Sequence, residues 1–166
     1  IVIGGTQTRR FSLHTNVASF ELVLTPGWNL LSIPLAPTGA TPEAVFGDAI
    51  SGDCWTWDPA AEQYVSATTI ESGHGYWIYR PAHLPSMHLT VVGAPIPDAG
   101  LSIQAGWNLV GIGIRTTQTL AESSPSLFAM RWDGEAYSET TTLLPGAGYW
   151  VYSDRPRTVQ TIPNPR

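Results

Sequence analysis

Three histidines, His74, His83 and His88, fall within one stretch and, with Asp58, have the residue types of a metal set. His74 stands where an internal repeat, described below, places Ala147, and the other two lie beside prolines, so no metal site is expected. Carboxylates raise a second possibility, because hydrolysis of a glycosidic bond needs an acid and a base about 5 to 10 Å apart. Asp58 and Asp133 open Asp-Pro and Asp-Gly turns, and Glu62 and Glu135 lie in those same turns. Turn chemistry accounts for all four, since a turn Asp bonds its own following backbone.

Other chemistries fall on residue type alone. All eight basic residues are Arg, so no phosphate-loop lysine, Schiff-base lysine or polybasic membrane anchor exists. Eight basic against 13 acidic residues give a net charge of −5, which offers no footprint for a nucleic-acid backbone. The single cysteine, Cys54, excludes an internal disulfide framework and a multi-cysteine zinc site, and its neighbours Trp55 and Trp57 point to a buried thiol. Ile1 to Gly5, IVIGG, matches the mature start of trypsin-like proteases, but no nucleophile segment or disulfide follows. No Gly-x-Ser-x-Gly, dinucleotide fingerprint or His-Glu-x-x-His is present. The sequence is read as non-enzymatic, with no catalytic residue and no cofactor.

The positioning elements come from an internal repeat. Gly27-Trp28-Asn29-Leu30 returns as Gly106-Trp107-Asn108-Leu109, Trp57-Asp58 as Trp132-Asp133, and Tyr64 as Tyr137. Gly73-His74-Gly75-Tyr76-Trp77-Ile78-Tyr79 returns as Gly146-Ala147-Gly148-Tyr149-Trp150-Val151-Tyr152. Tyr64 to Gly75 and Tyr137 to Gly148 are both eleven positions apart, as a fixed strand pairing requires. Period-two alternation makes each copy mainly β: Phe20, Leu22 and Leu24 share a face, as do Leu31, Ile33 and Leu35. The two runs, split by Pro26-Gly27, are expected to form a hairpin. Ser32, Gly111 and Gly113 are expected to leave room for an aromatic ring lying flat on the strand. Thr41-Pro42 opens a short helix, and Ser124 to Phe128 is its expected counterpart.

The aromatic residues carry the strongest signal, with Trp 7, Tyr 6 and Phe 4 in a chain that is only 13% charged. Alternation places Tyr76 with Ile78 on one face and Trp77 with Tyr79 on the other, so both faces carry rings. Trp28, Trp57, Tyr76, Trp107, Trp132, Tyr149 and Trp150 are expected to form the repeated core. Trp55 has Met130 as its equivalent and so suits a copy-specific contact. Flat rings exposed on a sheet can stack on pyranose sugars, and Trp55, Trp77 and Tyr79, with Asp58 as a hydrogen-bonding partner, are the candidate ligand residues.

The order PGWNLLSIPL, a short helix, a Trp-Asp hairpin and GHGYWIY resembles the "GWNLIS…GYW" tandem-repeat β modules of prokaryotic secreted and cell-surface proteins. The resemblance covers about residues 20 to 93 and 100 to 160. It implies an extracellular or cell-surface setting and no catalytic activity. Residues 1–19 read as a strand or hairpin, the tail of a preceding module, followed by repeat 1 (20–93), a Pro-containing linker (94–99) and repeat 2 (100–166). The expected architecture is all-β with one or two short helices, two tandem homologous repeats packed with pseudo-twofold symmetry, sandwich- or barrel-like. The two copies are expected to fold as one cooperative unit, because units of about 60 residues are marginal alone. The expected role is a non-catalytic accessory module acting as spacer, adhesion or interaction domain, with carbohydrate binding through surface aromatics as the alternative. Expected partners are other domains of the parent protein and a polysaccharide or surface protein; no nucleic acid and no membrane span are expected.

Overall fold

Apolar residues spaced by two, broken by Gly and Pro turns, fold here into stacked antiparallel sheets. The computed structural model describes residues 16–97 and 100–164, so the N-terminal strand or hairpin expected over residues 1–19 lies outside the described part as far as residue 15. The first repeat contains β1 (Ala18–Leu24), β2 (Gly27–Ser32), β3 (Ala36–Pro37), α1 (Pro42–Phe46), a single 3-10 turn at Gly47–Ala49, β4 (Trp55–Asp58), β5 (Gln63–Ser66), β6 (Gly75–Arg80) and β7 (Met87–Ala94). The second contains β8 (Leu101–Ile103), β9 (Gly106–Gly111), β10 (Gln118–Leu120), β11 (Leu127–Trp132), β12 (Tyr137–Thr140), β13 (Thr142–Leu143), β14 (Gly148–Ser153), β15 (Arg157–Val159) and β16 (Thr161–Pro163). The protein is all-β with one short helix. Thr41 caps that helix by accepting from Ala44 N at 3.2 Å, and Pro42 occupies the first turn.

Each repeat builds one four-stranded sheet with the same strand order, β2-β6-β4-β5 in the first and β9-β14-β11-β12 in the second. Smaller sheets, β1-β7-β3 in the first repeat and β8-β15 and β13-β10-β16 in the second, cover the outer faces. Three apolar layers result. Leu22, Leu24, Leu31, Ile33, Tyr76 and Ile78 belong to the first core, and Ile103, Val110, Leu127, Tyr149, Val151 and Val159 to the second. Between them lies a third layer centred on Leu30, Trp77 and Leu109, with Trp55, Trp57, Trp132 and Trp150 packed around it. No sheet among the described residues closes on itself, which sets aside the barrel form and leaves stacked sheets.

Three local expectations are corrected. Phe20–Leu24 and Asn29–Leu35 do not form a hairpin: β1 pairs with β7, whereas β2 pairs with β6. Asn29 is the cause, because its side chain accepts from Thr25 N at 2.9 Å and donates to the carbonyls of Thr25 at 2.8 Å and Gly27 at 3.0 Å. That clamp turns the chain from one sheet into the other at Gly27, whose φ of 92° suits glycine. Asn108 repeats the clamp on Gln104 N, Gln104 O and Gly106 O. Ser124 to Phe128 is not a helix; Ser124 and Leu127 exchange backbone hydrogen bonds at 2.7 and 2.9 Å, and the chain enters β11. Nor do the small residues leave room for a ring. A Cβ on Gly111 would lie 2.0 Å from Ser32 Cβ, so these positions let β2 and β9 touch.

Among the described residues, no helix is long and apolar enough to cross a membrane. Cys54 is buried, with a thiol pushed up to about 12 by desolvation and by Asp53 beside it.

Candidate functional site

Strand register decides which rings share a face. In the first repeat Trp28 stands opposite Tyr79, Leu30 and Trp55 both stand opposite Trp77, and Trp57 stands opposite Tyr64. In the second, Trp107 stands opposite Tyr152, Leu109 and Met130 opposite Trp150, and Trp132 opposite Tyr137. The other face of each sheet packs into that repeat's own core, where Tyr76 and Tyr149 are 2% and 0% exposed. The Tyr76 hydroxyl accepts from Glu71 N at 2.7 Å, as the Tyr149 hydroxyl does from Leu144 N at 2.7 Å, so each tyrosine ties down the loop before its strand. Burial raises both hydroxyl pKa values, that of Tyr76 to about 12.

The two ring-bearing faces meet. Trp57 packs on Trp150 with centroids 5.1 Å apart, and Trp77 on Trp132 at 5.7 Å, both edge-to-face. Backbone contacts across the junction come in matched pairs: Ser32 N donates to Gly146 O at 3.0 Å, and Gly111 N to Gly73 O at 3.1 Å. Leu31 bridges to Ala147, and Val110 to His74. The second glycine of each Gly-x-Gly-Tyr-Trp segment is required by the same approach. A Cβ on Gly75 would come within 2.9 Å of Leu109, and one on Gly148 within 2.9 Å of Leu30 and Leu31.

Two clefts open at this junction. Cleft I, of about 420 Å³, is lined by Trp57, Tyr64, Trp107, Met130, Tyr137 and Trp150. Cleft II, of about 520 Å³, is lined by Trp28, Trp55, Tyr64, Trp77, Trp132 and Tyr137. Position for position in the repeat these are the same six sites, with Tyr64 and Tyr137 shared and Met130 replacing Trp55. Neither lining contains a carboxylate, an amide or a guanidinium. Burial raises the pKa of both shared tyrosines; Tyr137 beside Tyr64 adds to the rise at Tyr64, while indole N–H groups of Trp77 and Trp150 oppose it at Tyr64 and Tyr137 respectively. Both hydroxyls are therefore neutral near pH 7.

The clefts differ in their indole hydrogen bonds. In cleft I, Trp57 Nε1 donates to Trp107 O at 2.9 Å and Trp150 Nε1 to Tyr137 Oη at 3.1 Å. In cleft II, the Trp77 indole faces the Tyr64 hydroxyl outside strict hydrogen-bond geometry but close enough to lower its pKa, and the buried Trp132 N–H has no hydrogen-bond partner among the described residues. Buried donors left unmade are costly and call for an explanation. No protein-family model, curated protein or solved structure matches this chain. The cleft must be read from its own chemistry.

Of the candidate ligand residues, Trp55 and Trp77 come together in cleft II, with Trp77 only 9% exposed. Tyr79 packs edge-on against Trp28 at 5.3 Å, outside the lining. Asp58 is turned into its own loop, where it accepts from Ala60 N and Ala61 N at 2.9 and 3.1 Å. Asp133 does the same for Glu135 N and Ala136 N, both at 2.9 Å. Trp28 and Trp107, expected in the core, stand at the rims with 50% and 40% exposure. Their strands lie at the sheet edges, which leaves each ring partly open to solvent. The histidines are not gathered: His88 Nδ1 lies 2.8 Å from Glu21, and His74 Nδ1 lies 3.9 Å from Glu71. No group of three or more potential ligands forms a metal site among the described residues. Tyr64 and Tyr137 were missed as site residues; their eleven-residue spacing to Gly75 and Gly148 and their pairing parity with Trp57 and Trp132 were the available signal.

Proposed function

We propose that the chain is a non-catalytic binding module serving as an accessory interaction or adhesion domain in a secreted or surface-anchored prokaryotic protein. The observation that carries this reading is cleft II, an open hollow walled by six aromatic residues with no carboxylate, amide or cation among them. Such a lining holds a ligand by ring contact and offers no acid, base or nucleophile matched to a reaction near pH 7. The surrounding architecture suits a fixed platform, because the rings sit on strands rather than loops. Pseudo-twofold packing of the repeats belongs to this proposal and is supported by the matched contacts of Ser32 with Gly146 and of Gly111 with Gly73. The resemblance to surface-protein repeat modules supports the extracellular setting, with neighbouring domains of the parent protein as partners.

The exposed rims of Trp28 and Trp107 favour carbohydrate as one ligand, but the rings meet edge-to-face, and Trp28 and Trp77 are tilted by 87°. A pyranose stacks on flat, coplanar rings, which this lining does not present. All seven tryptophans line the two clefts, so their fluorescence reports directly on the site. Acrylamide quenching, repeated with soluble polysaccharides and peptides, tests the reading. Rings reached by acrylamide and protected by a ligand support it. Rings shielded from acrylamide and indifferent to every ligand would leave a spacer.

A further inference from the structure

We infer that Tyr64 and Tyr137 form a site of oxidative cross-linking, where a dityrosine bond ties the two repeats together covalently. The inference goes beyond the binding-module reading and does not depend on it. The six tyrosines fall into three repeat pairs, and their surroundings leave one pair placed to couple. Tyr76 and Tyr149 are buried in separate cores, with their hydroxyls bonded to the backbone of Glu71 and Leu144. Tyr79 and Tyr152 pack edge-on against Trp28 and Trp107 at 5.3 and 5.5 Å, and neither lines a cleft. Tyr64 and Tyr137 are 48% and 42% exposed, and both line both clefts although they come from different repeats.

The two phenols gather around one indole. The Tyr64 ring lies 6.0 Å from that of Trp150 between centroids, and Trp150 Nε1 donates to Tyr137 Oη at 3.1 Å. Tyr137 is also near enough to Tyr64 to raise its pKa. β5 and β12, which carry them, are edge strands of their sheets, so a dissolved oxidant can reach both rings. The oxidant is hydrogen peroxide, acting through a haem peroxidase. Each phenol gives up one electron and its hydroxyl proton, and the two phenoxyl radicals join by a bond between ring carbons next to the hydroxyls. The hydrogens on those carbons then move to oxygen and restore both phenols. One peroxide takes the two electrons and two protons and leaves as two waters. Because one folded chain holds both rings, coupling within it outpaces coupling between chains. The bond closes a loop from residue 64 to residue 137 and restricts the unfolded chain, a tie that the lone, buried Cys54 cannot supply.

The test treats the full chain, kept dilute, with a haem peroxidase and limiting hydrogen peroxide. Dityrosine fluorescence is expected in a product that stays monomeric on a denaturing gel and has lost two hydrogen atoms by mass. Peptide mapping is expected to join the segments that carry Tyr64 and Tyr137, and the urea midpoint of the product to rise. Tyr64→Phe and Tyr137→Phe are each expected to lose the monomeric dityrosine product, whereas Tyr79→Phe keeps it. Near-UV dichroism and the urea midpoint before oxidation establish that each variant is folded. A cross-link mapped to any other pair of residues overturns the inference. So does a product that forms only between chains, oxidation confined to tryptophan, or a monomeric dityrosine that persists in Tyr64→Phe or Tyr137→Phe. Each of these outcomes leaves the binding-module reading standing, because that reading is decided by acrylamide and ligand protection.

Discussion

Cleft I and cleft II are built from the same six repeat positions, yet one is chemically closed and the other open. In cleft I the indoles of Trp57 and Trp150 donate to Trp107 O and Tyr137 Oη, so the walls satisfy one another. In cleft II the Trp132 indole has no hydrogen-bond partner among the described residues, that of Trp77 faces Tyr64 outside strict hydrogen-bond geometry, and Trp55 adds a seventh tryptophan where cleft I has Met130. Matched repeat positions line both hollows. A single ring and weaker indole hydrogen bonding distinguish cleft II from cleft I.

The junction that creates both clefts should give the largest effect. Gly111→Ser places a second side chain where Ser32 already sits and is expected to destabilise the protein by about 2 kcal/mol, read as a lower urea midpoint. Adding Ser32→Gly moves the one side chain to the opposite strand and should recover most of that loss if the halves are equivalent. Failure of the double variant to recover would break the comparison at its root.

Alkaline titration compares the two outer cores. Burial raises the Cys54 thiol from 9.0 and the Tyr76 hydroxyl from 10.0, each to about 12, while Tyr149 in the second core is raised by the same cause. The folded state thus holds protons that the unfolded chain releases. Stability is complete below about pH 9 and falls as pH climbs towards 12. Cys54→Ala should remove the part of that slope that begins near pH 9, as followed by urea midpoints at successive pH values.

A smaller effect separates the clefts directly. Trp57→Phe deletes the 2.9 Å hydrogen bond to Trp107 O and should cost about 1 kcal/mol. Trp132→Phe deletes an N–H that has no partner and should cost less than Trp57→Phe, or stabilise, in the same urea series. Equal losses would mean the two clefts are satisfied alike. Smallest of all is Asp133, whose carboxyl is held below its ordinary 3.8 by the backbone N–H groups of Ala136 and Glu135. Its contribution is present above that value and lost as pH falls through the lower folded pKa; Asp133→Asn should flatten this acid limb slightly.

Much of the fold was legible because side-chain alternation on a strand is local. The spacing of Tyr76, Trp77, Ile78 and Tyr79 placed Tyr76 and Ile78 in one layer and Trp77 in another, and the structure does the same. The turn role of Asp58 and Asp133 and the cap at Thr41 were equally readable, since each bonds backbone within three residues. The expected hairpin of β1 and β2 failed because alternation states which face a residue takes and not which strand it pairs with. Asn29 looked like one more polar residue after Trp28, although its side chain sends the chain into a different sheet.

The candidate site follows the same division. The sequence by itself determined an all-β chain, its internal repeat, the two-faced aromatic strands and the non-equivalence of Trp55 and Met130, because these depend on residue identity and short-range spacing. Only the tertiary structure decided that β2 and β9 touch through Ser32 and Gly111, that Tyr64 and Tyr137 line both clefts, and that the indole hydrogen bonds of cleft I are not matched in cleft II. Those features arise where strands 79 positions apart come within bonding distance, and a hydrogen bond across such a gap depends on the packing of both sheets rather than on any local pattern.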